Sequence, residues 1–264
     1  MIYNNHFQNF KVYQIPKAQL IIADVPYNIG INAYGSNPSW YIDGDRTNGE
    51  SELAGKEFFD TDKNFKPAEY MHFCSKMMAP EPKEKGKAPC MILFCSFEQQ
   101  FYFIELAKKY GLPKYINLVF RKNFSAQVLK ANMRIVGNCE YGLLFYRDKL
   151  PKFNNNGKMV FNCIDWEKDD AVKIHPTQKP LGLLKRLIEI FTDEGDVVID
   201  PVAGSGSSVV AALELNRKAY GFEIKKDFYK AANKWIMEVK QNKSDIKEYG
   251  YNKTEISKIN PVLF

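Results

Sequence analysis

The sequence predicts an α/β fold, a mostly parallel sheet covered by helices on both faces. Two observations carry this expectation. Short, wholly apolar segments such as QLIIA (Gln19 to Ala23), PCMILFC (Pro89 to Cys95) and DVVI (Asp196 to Ile199) have no polar side, so each reads as a strand buried on both faces. Helical segments alternate with them, the pattern of a sheet wound on both sides. With 264 residues, 45% hydrophobic and 26% charged, the chain has the composition of one large globular domain spanning 1–264.

In chain order, the strand Gln19 to Ala23 runs into Asp24-Val25-Pro26-Tyr27. Pro67 to Met78 reads as a helix with proline at a first-turn position. The strand Pro89 to Cys95 precedes a helix from Phe97 to Tyr110, which Gly111 stops. Ile116 to Phe120 and Glu140 to Tyr146 are the next strands. Pro180 to Phe191 is a helix carrying Leu181, Leu184, Leu187, Ile188 and Phe191 on one face. Asp196 to Ile199 opens into Asp200-Pro201 and the glycines Gly204 and Gly206, followed by a helix from Ser207 to Leu215. A strand from Ala219 to Phe222 and a helix from Asp227 to Lys240 close the pattern. Two inserted segments fit neither period. The acidic, turn-rich 31–65 is expected to be a lid-like loop, and 148–174, which contains LPKFNNNGK, a second inserted loop of functional length.

Composition narrows the function classes. No apolar run approaches the roughly 20 residues of a membrane helix, and the N-terminal residues lack a signal peptide's basic flank and apolar stretch, so a cytoplasmic location without a membrane is expected. Five cysteines without a C-x-x-C pair, and three scattered histidines, predict buried thiols and no metal site. Leu106 to Lys152 holds ten Lys and Arg against two acids, whereas Asp24 to Asp62 holds eight acids against two basic residues. One basic region within a near-neutral chain suits a polyanion-binding face. Its candidates for phosphate contacts are Lys122, Lys130, Arg134, Arg147, Lys149 and Lys152, with Trp166 of the second insert as a further candidate contact to the same polyanion.

Three segments carry chemistry. In Asp200-Pro-Val-Ala-Gly-Ser-Gly-Ser-Ser, the glycines bring backbone close to a ligand and expose amides at a helix start. Seventeen residues past Gly206, Glu223 ends the next strand, where an acid can accept from both ribose hydroxyls of a nucleoside. A dinucleotide-binding loop would need a third glycine at 209, which is Val. Asp24 to Tyr27 offers a carboxylate, a carbonyl and an aromatic face, suited to an –NH2 on a flat ring. The third segment, His175-Pro-Thr-Gln-Lys-Pro180, leads into an amphipathic helix.

Together these segments resemble the β group of S-adenosyl-L-methionine (AdoMet)-dependent amino-methyltransferases, the DNA N6-adenine and N4-cytosine methylases. Asp24 to Tyr27 is similar to their D-P-P-Y motif, His175 to Pro180 to H-P-T-[QE]-K-P, and Asp200 to Ser208 to D-P-F-x-G-S-G-[ST]. Phe120-Arg-Lys-Asn123 and Cys139 to Phe145 are similar to the W-x-K-x and E-Y-I-L-x-F segments between them. The resemblance implies a Rossmann-like methyltransferase fold with a seven-stranded sheet and circularly permuted motif order. It implies catalysis by Asp24, Val25, Pro26 and Tyr27, and AdoMet binding by Thr177, Gln178, Lys179, Pro180, Asp200, Val202, Gly204, Ser205, Gly206, Ser207 and Glu223, with Asn5 and His6 from the first strand region. Val25 stands where the family has proline, keeping the backbone carbonyl but losing the stiffened turn, and Val202 stands where it has phenylalanine.

The implied activity is methyl transfer to adenine N6 in DNA at a short sequence, with the base flipped out, and the resemblance makes 148–174, between the E-Y-I-L-like strand and the H-P-T-Q-K-P loop, the short target-recognition segment. Asp24 favours adenine, because family members acting on cytosine usually carry Ser there. N4-cytosine methylation, RNA adenine methylation and a catalytically weak, cofactor-binding DNA-binding subunit remain alternatives. A homodimer and an accompanying restriction enzyme, in a phage or host setting, are candidate associations.

Overall fold

Alternation of side chains along the buried strands decides the architecture. The computed structural model describes residues 1–27, 65–122, 127–130, 135–167 and 178–249. Along Leu20–Asp24, Leu20 and Ile22 enter one core while Ile21 and Ala23 enter another; Cys90, Ile92 and Phe94 part from Met91, Leu93 and Cys95 in the same way. A strand with two apolar faces needs a cover on each side.

The strands are β1 (Ile2–Tyr3), β2 (Leu20–Asp24), β3 (Cys90–Cys95), β4 (Lys114–Lys122), β5 (Gln127–Lys130), β6 (Ile135–Gly137), β7 (Cys139–Tyr146), β8 (Cys163–Trp166), β9 (Val197–Asp200) and β10 (Lys218–Phe222). The helices are α1 (Pro67–Met77), α2 (Phe97–Lys109), α3 (Leu181–Phe191), α4 (Ser207–Glu214) and α5 (Lys226–Tyr249), with a 3-10 segment at Phe7–Tyr13. Helices α3, α4 and α5 cover one face of the sheet; the 3-10 segment, α1 and α2 cover the other. Among the described residues, no helix is long and apolar enough to cross a membrane.

The main sheet has the order β1-β10-β9-β2-β3-β7-β4-β8, with β5 and β6 paired separately. Among its described strands, only β7 runs antiparallel to its neighbours, β3 and β4. Each strand and helix expected from the sequence is present, and α5 continues to Tyr249, past the expected Lys240. The sheet has eight strands, one more than the resemblance implies. Of its two outer strands, β1 leads into Asn5 and His6, where the resemblance puts the first strand region, and β8 has no counterpart among the expected elements. Strand β8 arises inside the 148–174 segment, where Ile164 and Trp166 are buried, so part of that segment is core.

The order places the chemistry. Parallel strands β10, β9 and β2 lie side by side, so Glu223, the loop after Asp200, and Asp24 all emerge at one edge of the sheet. There the chain turns away in both directions, from β9 towards β10 and from β2 towards β3, which is where open α/β sheets form a crevice. Gly221 lets β10 pass the loop closely: a Cβ there would stand 2.9 Å from Val209 Cγ2 and 3.0 Å from Ala203 Cβ. Gly221→Ala should therefore cost about 1–3 kcal/mol in urea unfolding. Gly182→Ala, with nothing within 4 Å of its added methyl in α3, should be neutral or stabilising by up to about 1 kcal/mol.

Candidate functional site

Asp24 ends β2 opposite Phe94 of β3. The turn that follows is fixed from outside. Val25 N donates to the Phe94 carbonyl (3.2 Å) and Gln99 Nε2 to the Pro26 carbonyl (2.8 Å). Gln99 is itself held in the capping box of α2: its Oε1 accepts from Ser96 N at 3.1 Å, and its backbone N–H donates to Ser96 Oγ at 3.3 Å. These bonds restrain the turn at the position where Val25 lacks a proline ring.

The Asp24 carboxylate begins a chain of alternating charges. Lys179 Nζ, from the segment entering α3, lies 2.5 Å from Asp24 Oδ2 and 3.0 Å from Glu140 Oε2. Glu140, on β7, also pairs with Lys122 of β4. The Lys179 side chain is 5% exposed, and its ammonium sits 5.3 Å from the Phe94 ring centre, 5.5 Å from Trp166 and 5.7 Å from Tyr27. Lys122 Nζ lies 4.8 Å from the Trp166 ring centre. Ring faces are favourable neighbours for a desolvated cation.

Burial and charge act differently along this row. Burial raises the Asp24 pKa and neighbouring Glu140 adds to the rise, with Lys179 pulling against both. Burial also opposes ionisation of Glu140, but Lys179 and Lys122 outweigh it and hold that carboxyl below its ordinary range. Burial works against the Lys179 charge, yet Asp24 and Glu140 keep its pKa above the ordinary value. Glu140 is thus the settled anion, and Asp24 the acid that protonates more readily. Asp24 Oδ1 and the Tyr27 hydroxyl are buried and, among the described residues, have no partner in ordinary hydrogen-bond geometry, although Tyr27 lies near enough to favour the ionised Asp24 carboxylate. Burial, with the charges of Asp24, Glu140 and Cys95, pushes the Tyr27 pKa well up, so its phenol stays neutral.

The second half of the site is the loop from Asp200 to Gly206. Gly204 and Gly206 have φ of 51° and 77°, a region that favours glycine, and Gly206 caps α4. Glu223 Oε2 accepts from Gly204 N at 2.8 Å and Oε1 from Lys225 N at 2.7 Å, which ties the loop to the end of β10. Burial raises the Glu223 pKa against the pull of those amides. Asp200 braces the loop from within, accepting from Val202 N at 3.0 Å and from the Ser208 hydroxyl. Burial pushes its carboxyl up to about 7 despite those bonds. Ser205 and Ser207 are buried, with Ser205 Oγ accepting from Ser207 N at 3.4 Å, and Val202 packs on the core beside Phe222.

Beyond β1, Tyr3 O accepts from Glu223 N at 3.0 Å, which brings Asn5 and His6 to this edge. Their polar atoms serve local bonds: Asn5 Oδ1 accepts from His6 N and Asn9 Nδ2, and His6 Nδ1 accepts from Gln8 N. Pro180 caps α3, with Gln178 just ahead of Lys179, while Thr177 lies outside the described residues. The structure therefore brings Asp24 to Tyr27, Lys179, the glycine loop and Glu223 to one edge.

The basic face needs correction. Lys152 is 6% exposed and donates to Asp193 Oδ2 and Asp196 Oδ2, both at 2.7 Å. Arg147 donates to the carbonyls of Ala79, Ser75 and Met78, closing the C-terminus of α1. Lys122 is neutralised by Glu140, and Trp166 is buried over it, so neither presents a surface to a phosphate. Half-buried Lys149 donates to Pro82 O at 2.6 Å. The Lys130 side chain, Arg134, and residues 31–64 and 168–174 of the inserts lie outside the described residues. Cys74, Cys90 and Cys95 are buried as expected, but Cys163 is exposed. Sequence reasoning overlooked the place of Glu140 in the site, although it is one of only two acids in the basic stretch and opens an apolar strand.

The model of a protein family described as DNA methylase matches residues 18–234. The DNA adenine methyltransferase YhdJ of Escherichia coli (strain K12) is 26% identical over 249 residues, covering 87% of this chain and 80% of that protein. The crystal structure of the M1.HpyAVI-SAM complex superposes with a TM-score of 0.64 at 22% identity, covering 89% of this chain and 98% of that one. PvuII DNA methyltransferase (cytosine-N4-specific) superposes with a TM-score of 0.63 at 13% identity, covering 93% and 91%.

The Asp200 brace makes stability depend on pH. Its folded-state pKa near 7 lies above the unfolded value of 3.8, so the fold binds the extra proton and this contribution is lost as pH rises towards 7. Asp200→Asn removes the dependence. Relative to the variant, the wild type should lose about 2–3 kcal/mol between pH 5 and pH 8, measured by urea unfolding at each pH.

Proposed function

The chain belongs to the DNA methylase family, and we propose that it transfers a methyl group from S-adenosyl-L-methionine to the exocyclic N6 amino group of adenine in DNA. The observation that carries this reading is Asp24: one carboxylate oxygen is held by Lys179, and the other is buried without a hydrogen-bond partner among the described residues. A buried acceptor in that state suits an incoming N–H donor. The carboxylate stands at the sheet edge that also carries the glycine loop.

An aromatic –NH2 is a poor nucleophile because its lone pair is delocalised into the ring. In the proposed mechanism Asp24 Oδ1 accepts one amino hydrogen and the Val25 carbonyl the other, which favours a pyramidal nitrogen with a localised pair. Tyr27 stacks on the base and replaces the neighbours that it stacked on inside the duplex. Once substituted, the nitrogen must shed a proton, and Asp24, with its raised pKa, is the adjacent acceptor.

AdoMet, when bound, supplies a methyl group on a sulfonium centre. The residues present fit it. Gly204, with positive φ and no side chain, allows close approach of a ligand to the backbone, and each Glu223 oxygen, although it accepts from Gly204 N or Lys225 N, keeps a lone pair for a ribose hydroxyl. Lys179 enters this pocket as the partner of Asp24.

Adenine is favoured over cytosine by Asp24, at a position where the resembling cytosine enzymes usually carry Ser, and by likeness to the adenine methyltransferase of Escherichia coli. With Lys152 and Trp166 in the interior, the described part of the second insert offers few side chains for reading bases, and we propose a recognition sequence of about two to four base pairs. Unmethylated DNA incubated with methyl-labelled AdoMet, then digested to nucleosides, should yield label in N6-methyladenine. Asp24→Ala should reduce that label about a hundredfold or more. Label in N4-methylcytosine, label nowhere, or label that appears only when RNA replaces the DNA would overturn the adenine-DNA assignment.

A further inference from the structure

Lys179 arises 155 residues after Asp24, yet its ammonium meets two carboxylates and three aromatic rings in the interior. Nothing about AdoMet binding demands that arrangement. A ligand for a cofactor carboxylate would be expected to present its charge to the pocket. Here the charge is directed at Asp24 Oδ2 and Glu140 Oε2, and Glu140 is anchored from behind by Lys122 on the neighbouring strand.

We infer that Lys179 and Glu140 are positioning residues for Asp24: Lys179 fixes one carboxylate oxygen so that the other is presented to the target amine, and Glu140, held by Lys122, aims Lys179. The inference rests on the proposed role of Asp24 as acceptor of that amine. Fixing Oδ2 removes the rotation of the carboxylate about its Cβ–Cγ bond, leaving Oδ1 in one place. A target nitrogen then meets an acceptor already oriented, and positioning of this kind is where an enzyme without covalent chemistry obtains much of its acceleration.

The same contact governs ionisation. The groups acting on Asp24 come from several elements: Glu140 on β7, Tyr27 in the turn, Cys95 at the end of β3, Asp200 at the end of β9, and Lys179 ahead of α3. Among these described groups, Lys179 is the cation, and the others are acids or weak acids. Burial already favours protonation of Asp24, and Lys179 is what opposes it. A protonated Asp24 would still offer an oxygen, but it would no longer draw the amino hydrogen as an anion does.

The test uses the full chain with three substitutions. Lys179→Met keeps length without charge, Lys179→Arg keeps charge with altered shape, and Glu140→Gln keeps shape without charge. Three quantities are read: the pH profile of single-turnover methyl transfer, AdoMet affinity by calorimetry, and the carboxyl 13C titration of Asp24, assigned through Asp24→Asn.

In Lys179→Met, loss of the cation raises the Asp24 pKa. The NMR midpoint and the acid limb of the rate profile should both move to higher pH, by about one to three pH units. AdoMet affinity should change by less than about threefold, as expected where no hydrogen bond to the ligand is lost. Lys179→Arg should return both midpoints towards wild type. Glu140→Gln removes a like charge, so the Asp24 midpoint should stay or fall, while the plateau rate drops about tenfold because Lys179 is no longer aimed.

An unchanged Asp24 midpoint in Lys179→Met overturns the pairing. A large loss of AdoMet affinity with an unmoved profile makes Lys179 a cofactor ligand instead. A wild-type plateau in Glu140→Gln overturns the role of Glu140, and it decides that role even where Lys179→Met does not fold. If the wild type transfers no methyl group to DNA, the functional reading fails, whereas the carboxyl titration still reports whether Lys179 holds Asp24.

Discussion

A charge withdrawn from water must be met by an opposite charge, and four such groups meet in sequence at this site: Lys122, Glu140, Lys179 and Asp24. Ion pairs of this kind are close to energetically neutral as a whole, while removal of one member typically costs about 3–5 kcal/mol. Their main effect is therefore on arrangement. The row ties the segment entering α3, which lies outside the sheet, to β4, β7 and the end of β2, which the sheet already holds in register. Trp166 belongs to the same construction. Its ring lies against both ammonium groups, which gives β8, the strand added outside β4, a part in the site.

The other half of the site depends on topology. Parallel β10, β9 and β2 deliver the Glu223 carboxylate, the glycine loop and Asp24 to one edge, and the order of strands changes direction there. Neither half is complete alone. In the proposed function the loop and Glu223 hold the cofactor, while the ion row offers a single oriented acceptor oxygen. A transfer between two ligands needs both, side by side, and the adjacency of β9 and β2 supplies it.

Much of this was legible in the sequence, for identifiable reasons. The strands β2, β3 and β9 have no polar face, so burial on both sides followed from composition alone. The glycines at 204 and 206 and the acid at 223 mark a candidate ligand loop by spacing. What was hidden depended on partners distant in the chain. Lys152 and Arg147 look like free cations until Asp193, Asp196 and the α1 carbonyls are placed against them. Trp166 looks like a surface aromatic until β8 pairs with β4. Glu140 and Lys179 are far apart in the chain, and no local pattern links them.

The proposed activity requires the loop and Asp24 to serve one reaction centre. A single compound in which adenosine N6 is tethered to the sulfur position of AdoMet would occupy both at once. It should bind at least about a hundredfold more tightly than AdoMet, as a mimic of the transition state, and the gain should vanish in Asp24→Ala. Affinity no greater than that of AdoMet, or a gain that survives in Asp24→Ala, would contradict the placement of the target amine at Asp24.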